Sequence, residues 1–270
     1  MSSLLSVRYL STTLTTHKTT IHAVRNASFQ LFSGEMLGIV GESGSGKSML
    51  AKTIMRLLPP NNAHIDSGSI LYSGLDLVSL PEWEMRRVRG REISMIFQDP
   101  MTSLNPTMKV GRQIVEGYLF HFPGETRDSA FELAVETLRD IGIPDAERCI
   151  DLYPHELSGG MRQRIMIAMA LISSANIIIA DEPTTSLDVS IQAQILDLLK
   201  ALQRSRRLSL LFITHDLSLI AGYCDRALVM YDGEIVEEAP VERLFSAPAH
   251  PYTKRLLGAL PPLDLSGGFV

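Results

Sequence analysis

Short apolar segments alternate with amphipathic helical patterns along most of this 270-residue chain. An apolar run at Met36–Val40 precedes a glycine-rich turn, and the spacing of leucine and isoleucine over residues 48–58 then predicts a helix that two prolines end. Further short apolar runs predict strands at residues 93–97, 177–180, 208–213 and 227–231. Runs that are apolar throughout are typical of strands buried on both faces, so the pattern predicts an α/β core with a mainly parallel sheet.

A different pattern covers residues 107–153. Apolar residues recur there at helical spacing, as at Val110, Ile114 and Leu138, and no segment has the pattern of a strand. The sequence therefore predicts a helical insertion in the α/β core. Residues 61–68 are predicted to form a polar loop, and the basic run from Arg86 to Arg91 is predicted to be the solvated face of a helix and turn.

The composition is that of a globular protein, with 45% hydrophobic and 20% charged residues, and it excludes a disordered or fibrous chain. The 25 basic and 30 acidic residues give a net charge of -5. A protein bound to nucleic acid mainly through its phosphates carries a basic excess, so we expect no direct nucleic-acid partner.

The chain shows no membrane-spanning or export signal. Its apolar runs are much shorter than the roughly 18 residues that cross a bilayer, so it is not expected to form a pore by itself. The N-terminal residues lack the cationic start and apolar core of an export signal. Cys149 and Cys224 lie far apart without metal-ligand spacing, which favours free thiols over a disulfide or a metal site.

The clearest chemical motif follows the first predicted apolar strand. Residues 41–48, GESGSGKS, satisfy GxxxxGK[ST], in which glycines let backbone N–H groups and a helix N-terminus point at one anion. In such a loop Lys47 would bridge the β- and γ-phosphates, and the Ser48 hydroxyl would bind Mg²⁺. The sequence therefore predicts a nucleoside triphosphate site.

Two adjacent carboxylates, Asp181 and Glu182, follow the apolar run IIIA at 177–180. Adjacent residues of an extended strand point to opposite faces, so the two acids are expected to have different functions. Asp181 suits the Mg²⁺ shell, usually through a water, and Glu182 is placed to orient and polarise an attacking water.

Two further polar residues end predicted strands. Gln98 follows the run at 93–97 and His215 follows the run at 208–214, and α/β proteins bind ligands at this edge of the sheet. Gln98 would contact Mg²⁺ and water, and His215 would bond the γ-phosphate.

A second candidate anion site begins at Ser158. The sequence LSGGMRQR at 157–164 opens a helix predicted to run to about residue 173, with Ser158 as N-cap and two glycines that expose backbone N–H groups. The phosphate loop already holds one side of a nucleotide. The second site is therefore best explained by a nucleotide held by another subunit.

Taken together, these motifs and the run SLD at 186–188 resemble the ATP-binding cassette ATPases in their order and rough spacing. The likeness covers nearly the whole chain. ISMIFQDPMTSLNP at 93–106, DEPTTSLDVSIQAQIL at 181–196 and HPYTKRLLGALP at 250–261 are similar to the ATPase subunits of bacterial peptide and nickel importers, and within these to the D type.

The resemblance implies an α/β P-loop NTPase with a RecA-like core and an antiparallel β subdomain near the N-terminus. It implies an ATPase domain at 1–241, with a helical subdomain at about 98–160, and a C-terminal segment at 242–270. The catalytic residues would be Glu182, His215, Gln98 and Lys47. The Mg²⁺ ligands would be Ser48, Gln98 and Asp181. ATP would be bound by the following residues: Gly41, Glu42, Ser43, Gly44, Ser45, Gly46, Lys47, Ser48, Met49, Ser158, Gly159, Gly160 and Asp188.

The resemblance also implies a set of partners. These are two integral-membrane permease subunits, a second ATPase of the F type that forms a heterodimer, and an extracytoplasmic solute-binding protein, with this chain on the cytoplasmic face of the bacterial inner membrane. Peptide is the first choice of solute, and nickel or another small solute stays open. Other classes that remain are a soluble cassette ATPase acting on nucleic acid or ribosomes and a nucleotide-gated regulatory protein.

Two features of the sequence depart from the family pattern. Leu14 stands where relatives carry an aromatic residue that stacks on adenine, and Tyr9 or His22 are the alternatives for this contact. The sequence ends in LDLSGGFV, without the cysteine-bearing tail that is common in peptide-type relatives, so we expect no metal cluster of that kind.

Overall fold

The structure is a computed structural model that describes residues 3–16, 19–185 and 187–259. Ser186, which belongs to the SLD run, and residues 260–270, which end the predicted C-terminal segment, lie outside the described residues.

The described residues form these strands in chain order: β1 (Ser3–Thr15), β2 (Thr20–Phe32), β3 (Met36–Val40), β4 (Ala63–Tyr72), β5 (Leu75–Asp76), β6 (Ile93–Ile96), β7 (Ile177–Asp181), β8 (Ser209–Thr214), β9 (Arg226–Tyr231) and β10 (Glu234–Pro240). They form these α-helices: α1 (Lys47–Ile54), α2 (Glu82–Val88), α3 (Pro100–Ser103), α4 (Val110–His121), α5 (Arg127–Asp140), α6 (Ala146–Cys149), α7 (Gly159–Leu171), α8 (Val189–Arg206), α9 (Leu217–Tyr223), α10 (Val241–Ser246) and α11 (Pro251–Gly258).

The chain divides into two compact units, one formed by Met1–Pro81 with Ser209–Val270 and the other by Glu82–Leu208. The domain boundaries expected from the sequence, 1–241, about 98–160 and 242–270, stay predictions.

Two groups of strands build the first unit. Strands β2, β1, β4 and β5 form an antiparallel sheet in that order, which confirms the antiparallel portion expected near the N-terminus. Strands β10, β9, β3 and β8 are neighbours in that order, and β3 is parallel to both β9 and β8. All five residues of β3 are buried. The loop at 41–46 therefore begins directly at the buried carboxyl end of this strand.

In the second unit, β6 and β7 are parallel and every residue of both strands is buried. Helices α4, α5 and α7 pack against one another through apolar faces that include Val110, Ile114, Leu138 and Ile165. The helical spacing predicted between residues 107 and 153 is therefore confirmed. Arg86, Arg87 and Arg91 are exposed, as expected for a solvated basic run, but the Arg89 side chain is only 17% exposed and is paired with Glu82 at 2.6 Å.

Two local predictions are wrong. Residues 61–68 do not form a loop, because β4 begins at Ala63 and pairs with β1, where Thr12 lies opposite Ile65. None of residues 63–68 is buried, so this half of the strand carries no apolar signal, and its partner is distant in sequence. The helix predicted over 48–58 ends at Ile54, since Arg56 has a φ of 50° that no right-handed helix accommodates.

Candidate nucleotide site

The phosphate loop lies between β3 and α1, so the predicted strand, loop and helix are present in the first unit. Lys47 begins α1 and is only 4% exposed. Its ammonium donates hydrogen bonds to the carbonyl oxygens of Gly41 at 2.8 Å and Glu42 at 2.9 Å. The loop thus curls around the Lys47 side chain. The positively charged ammonium therefore lies at a helix N-terminus, where the binding of an anion is favoured.

Two glycines of the loop lie too close to neighbouring backbone for a side chain. A Cβ at Gly41 would be 2.1 Å from the carbonyl oxygen of Met230, and one at Gly46, which has a φ of 103°, would be 2.3 Å from the carbonyl oxygen of Ala23. Gly44 also has a positive φ, 82°, but a Cβ there would meet nothing within 4 Å. Packing on β2 and β9 therefore fixes both ends of the loop.

Gly46→Ala is expected to destabilise the protein more than Gly44→Ala. Both changes force alanine to a positive φ, which costs roughly 1–2 kcal/mol, but only Gly46→Ala also drives a methyl group into the backbone at Ala23. Urea unfolding of the two variants measures the difference in the free energy of unfolding. Equal losses would show that the loop is not packed against β2 in this way.

The other predicted residues of the loop differ in exposure. Glu42, Ser43 and Gly44 are exposed, whereas Ser45 is buried. Ser48 and Met49 lie half-buried in the first turn of α1. The exposed middle of the loop and the first turn of a helix are the two features that phosphate binding requires.

His215 follows β8 directly, in the first unit, and is exposed. The next residue, Asp216, starts α9 by accepting the N–H of Ser218 at 2.8 Å, and its own N–H is bonded to Thr214 Oγ1 at 3.0 Å. The backbone on both sides of His215 is therefore fixed, at the carboxyl end of β8.

The carboxylates and Gln98 come together in the second unit. Gln98 Nε2 donates to Glu182 Oε2 at 3.2 Å, and the Thr185 hydroxyl donates to the same oxygen at 2.9 Å. Asp181 is 3% exposed at the end of β7, and Glu182 is half-buried. Parallel pairing of β6 and β7 brings these carboxyl ends to one edge, which explains why residues so distant in sequence meet.

The expected alternation of Asp181 and Glu182 across one strand is wrong. Strand β7 ends at Asp181, and Glu182 has a φ of 45°, in the left-handed region. The turn of the backbone, rather than strand alternation, separates the two carboxylates. Such positive φ values at residues other than glycine are strained and concentrate at functional sites.

The helix predicted from Ser158 is also in the second unit. The Ser158 hydroxyl accepts the N–H of Met161 at 3.3 Å, which confirms it as the N-cap of α7. Ser158 and Gly159 are exposed. A Cβ at Gly160 would be 2.9 Å from Ile191 Cγ2, so this glycine allows α7 to pack against the start of α8, beside the exposed Asp188.

Two contacts of the site were not predicted from the sequence. The Tyr252 hydroxyl of α11 accepts the N–H of Glu42 in the phosphate loop at 3.0 Å. The N–H of Gly233, in the turn between β9 and β10, donates to the Ser45 carbonyl oxygen at 3.0 Å. The HPYT motif was the signal available for Tyr252, but a motif does not show which segment its residues contact.

The adenine-binding side chain stays unassigned. Leu14 lies half-buried in β1, opposite Ile21 of β2. Tyr9 is 68% exposed, and His22 Nδ1 is 3.0 Å from Thr13 Oγ1.

The strand, phosphate loop and helix at 36–54, within this fold, define a P-loop nucleoside triphosphatase. Residues 24–185 match the ABC transporter family, and residues 236–268 match the C-terminal region of oligopeptide/dipeptide transporters. The chain belongs to the ABC transporter family and is an ATPase of its peptide-transporter branch.

Curated relatives and solved structures agree with this assignment. The chain is 52% identical over 267 residues to the oligopeptide transport ATP-binding protein OppD of Bacillus subtilis, covering 99% of this chain and 74% of that protein. It is 51% identical over 267 residues to the dipeptide transport ATP-binding protein DppD of the same species, covering 99% and 79%. A dimeric post-hydrolysis structure of the cassette MJ0796 bound to ADP and Pi has a TM-score of 0.78 at 26% identity, covering 88% of this chain and 98% of that chain.

These findings confirm the predicted fold class, ATP-binding cassette and peptide-importer type. The roles of individual residues stay predictions. Within the described part of the chain, no helix is both long and apolar enough to cross a membrane, and no group of three or more His, Cys, Asp or Glu residues forms a metal site. Cys149 and Cys224 are both buried, and they form no disulfide in the described part of the chain.

Proposed function

We propose that this ATPase powers the uptake of peptides from the cytoplasmic face of a bacterial inner membrane. The phosphate loop carries the proposal, because it combines a buried Lys47 ammonium with an exposed loop at the start of a helix. The match of residues 236–268 to peptide transporters favours peptides over nickel as the solute.

Four polar residues assist the proposed reaction. The oxygen of a water bonds to the γ-phosphorus, the bond to the bridging oxygen of ADP breaks, and the proton of the water passes to a base. Glu182 orients this water and accepts the proton, and Gln98 holds the Glu182 carboxylate in position. Lys47 and His215 bond the γ-phosphate and stabilise its charge.

The side chains assigned to Mg²⁺ have the right chemistry for this ion. The Ser48 hydroxyl, the Gln98 amide and the Asp181 carboxylate offer oxygen ligands, which Mg²⁺ prefers. Mg²⁺ is usually bound by one or two carboxylates together with substrate phosphates. A site with a single protein carboxylate agrees with this usual coordination. The ion would neutralise charge on the β- and γ-phosphates.

A second subunit completes the proposed site. The exposed start of α7, with Ser158, Gly159 and Gly160, binds the nucleotide held by a partner ATPase of the F type, and Asp188 contributes from the start of α8. The dimeric cassette MJ0796 and the names of the peptide-transport relatives support this arrangement. Two permease subunits and an extracytoplasmic binding protein complete the proposed transporter.

Purification of the tagged chain from native membranes tests the proposal. We expect two integral-membrane subunits and a second ATPase to copurify, and we expect ATP hydrolysis by this assembly to rise when binding protein loaded with a di- or oligopeptide is added.

Two controls make the outcome decisive. The same binding protein without peptide should leave hydrolysis at its basal rate, and nickel should not replace the peptide. Recovery of only ribosomes or nucleic acid would contradict the proposed role in transport. Stimulation of hydrolysis by nickel alone would contradict the assignment of peptides as the solute.

A further inference from the structure

The C-terminal helix α11 contacts the phosphate loop through one buried hydroxyl. Tyr252 is 4% exposed, and its oxygen accepts the N–H of Glu42 at 3.0 Å. The carbonyl oxygen of Glu42 accepts the Lys47 ammonium at 2.9 Å and the N–H of Ser45 at 3.2 Å. One residue of the loop is therefore bonded to Tyr252 on one side and to the phosphate-binding lysine on the other.

The position of Tyr252 is determined by the start of α11. The Glu237 carboxylate of β10 accepts the N–H of Ala249 at 2.7 Å and the N–H of His250 at 2.9 Å. His250 Nδ1 in turn accepts the N–H of Tyr252 at 3.2 Å and caps the helix, whose first residue is Pro251. Burial tends to raise the pKa of Glu237, but the hydrogen bonds from the backbone N–H groups of Ala249 and His250 hold it below its usual value. The carboxylate is thus charged at neutral pH and holds the helix start in place.

The Tyr252 ring is fixed as firmly as its backbone. It packs on Tyr231 with ring centroids 4.3 Å apart, and the Arg255 guanidinium lies over the Tyr252 ring at 5.2 Å. Tyr231 adjoins Met230, whose carbonyl oxygen lies against Gly41 at the start of the loop. Burial raises the pKa of the Tyr252 phenol, so the hydroxyl remains neutral under physiological conditions.

We propose that Tyr252 is a positioning residue for ATP binding, which holds the start of the phosphate loop open when Lys47 turns from the loop carbonyls to the phosphates. Lys47 itself draws the loop together by bonding the carbonyl oxygens of Gly41 and Glu42. Once the ammonium bonds a phosphate, these carbonyls lose that donor. The hydrogen bond from Glu42 N–H to Tyr252 does not involve Lys47 and persists.

The inference rests on the proposed function in one respect, the binding of ATP at this loop. It adds a function for the HPYT region: the segment that distinguishes the peptide-transporter branch also acts on the nucleotide site. A displacement of α11 would therefore alter ATP affinity without any change in the residues that touch the nucleotide.

Tyr252→Phe tests the proposal because it removes the hydroxyl and keeps the ring. Calorimetric titration of the full chain with MgATP should give a Kd about 3- to 10-fold higher than that of the wild type, the range expected for one neutral hydrogen bond. In the assembled transporter the KM for ATP should rise by the same factor while kcat stays within about twofold, since the reacting groups are untouched. The Glu42 amide should exchange its hydrogen faster than in the wild type.

Tyr231→Phe is the matched control, because it removes a hydroxyl from the ring packed on Tyr252 without touching the loop contact. It should leave the Kd, the KM and the exchange of the Glu42 amide unchanged. Glu237→Gln, which keeps only one of the two carboxylate acceptors at the start of α11, should raise the Kd in the same direction as Tyr252→Phe.

The outcomes separate this inference from the proposed function. A wild-type chain that does not bind MgATP would overturn the proposed function itself. Wild-type binding with an unchanged Kd and KM in Tyr252→Phe would overturn only the positioning role. A lower melting temperature and a lower kcat at unchanged KM would also overturn it, because they would indicate a structural contribution alone.

Discussion

Glu182→Gln is expected to slow ATP hydrolysis in the assembled transporter by at least about a hundredfold while ATP still binds. The amide is nearly the same size and keeps an oxygen for the bonds from Gln98 and Thr185. It cannot take up the proton of the attacking water, and loss of one such transition-state interaction costs roughly 10²–10³ in kcat. Phosphate release and nucleotide titration on the same preparation measure the two effects separately.

Glu92→Gln provides the matched control. Glu92 precedes β6 and accepts the side-chain N–H of Asn176 at 3.1 Å, so it lies at the opposite end of the parallel pair β6 and β7 from Glu182. This change should leave hydrolysis at the wild-type rate. Wild-type turnover by an assembled Glu182→Gln transporter would refute the role assigned to Glu182.

Lys47→Met is expected to weaken the binding of ATP by about 10- to 100-fold. Methionine fills most of the buried volume of the lysine stem but removes the ammonium. The loss of a hydrogen bond to a charged group amounts to about 1.5–3 kcal/mol. Direct titration of the full chain with MgATP gives the change in Kd.

Two comparisons guard against a change in fold. Lys52→Met, in the last turn of the same helix, should leave the affinity for ATP unchanged. Circular dichroism of Lys47→Met should retain the wild-type helix content. An unchanged Kd in a folded Lys47→Met chain would contradict the assignment of the phosphate loop.

Much of the architecture could be predicted because its elements carry strong local signals. Strand β3 has five buried residues, four of them with apolar side chains, and a glycine-rich loop after it, and its bounds agree with the prediction. The Ser158 cap of α7 was predictable because a serine before two glycines and an apolar helical pattern favours a helix start. Such features depend on a few neighbouring residues.

The elements that were mispredicted depend on distant partners. The first half of β4 has no buried residue and becomes a strand only through its hydrogen bonds to β1. Glu182 adopts a left-handed backbone conformation after β7, where its carboxylate meets Gln98, 84 positions away in sequence. No local pattern encodes either arrangement.

The sequence by itself determined which chemistry this protein carries: a phosphate loop, two acids, a glutamine and a histidine after predicted strands, and a capped glycine-rich helix start. Residue type and short-range spacing suffice for this, because strand ends and helix starts are local features. Only the tertiary structure decided which of these groups touch. The Gln98–Glu182 contact and the Tyr252 bond to Glu42 arise from the pairing of strands and the return of the C-terminal helix, and their energies depend on three-dimensional distance rather than on separation along the chain.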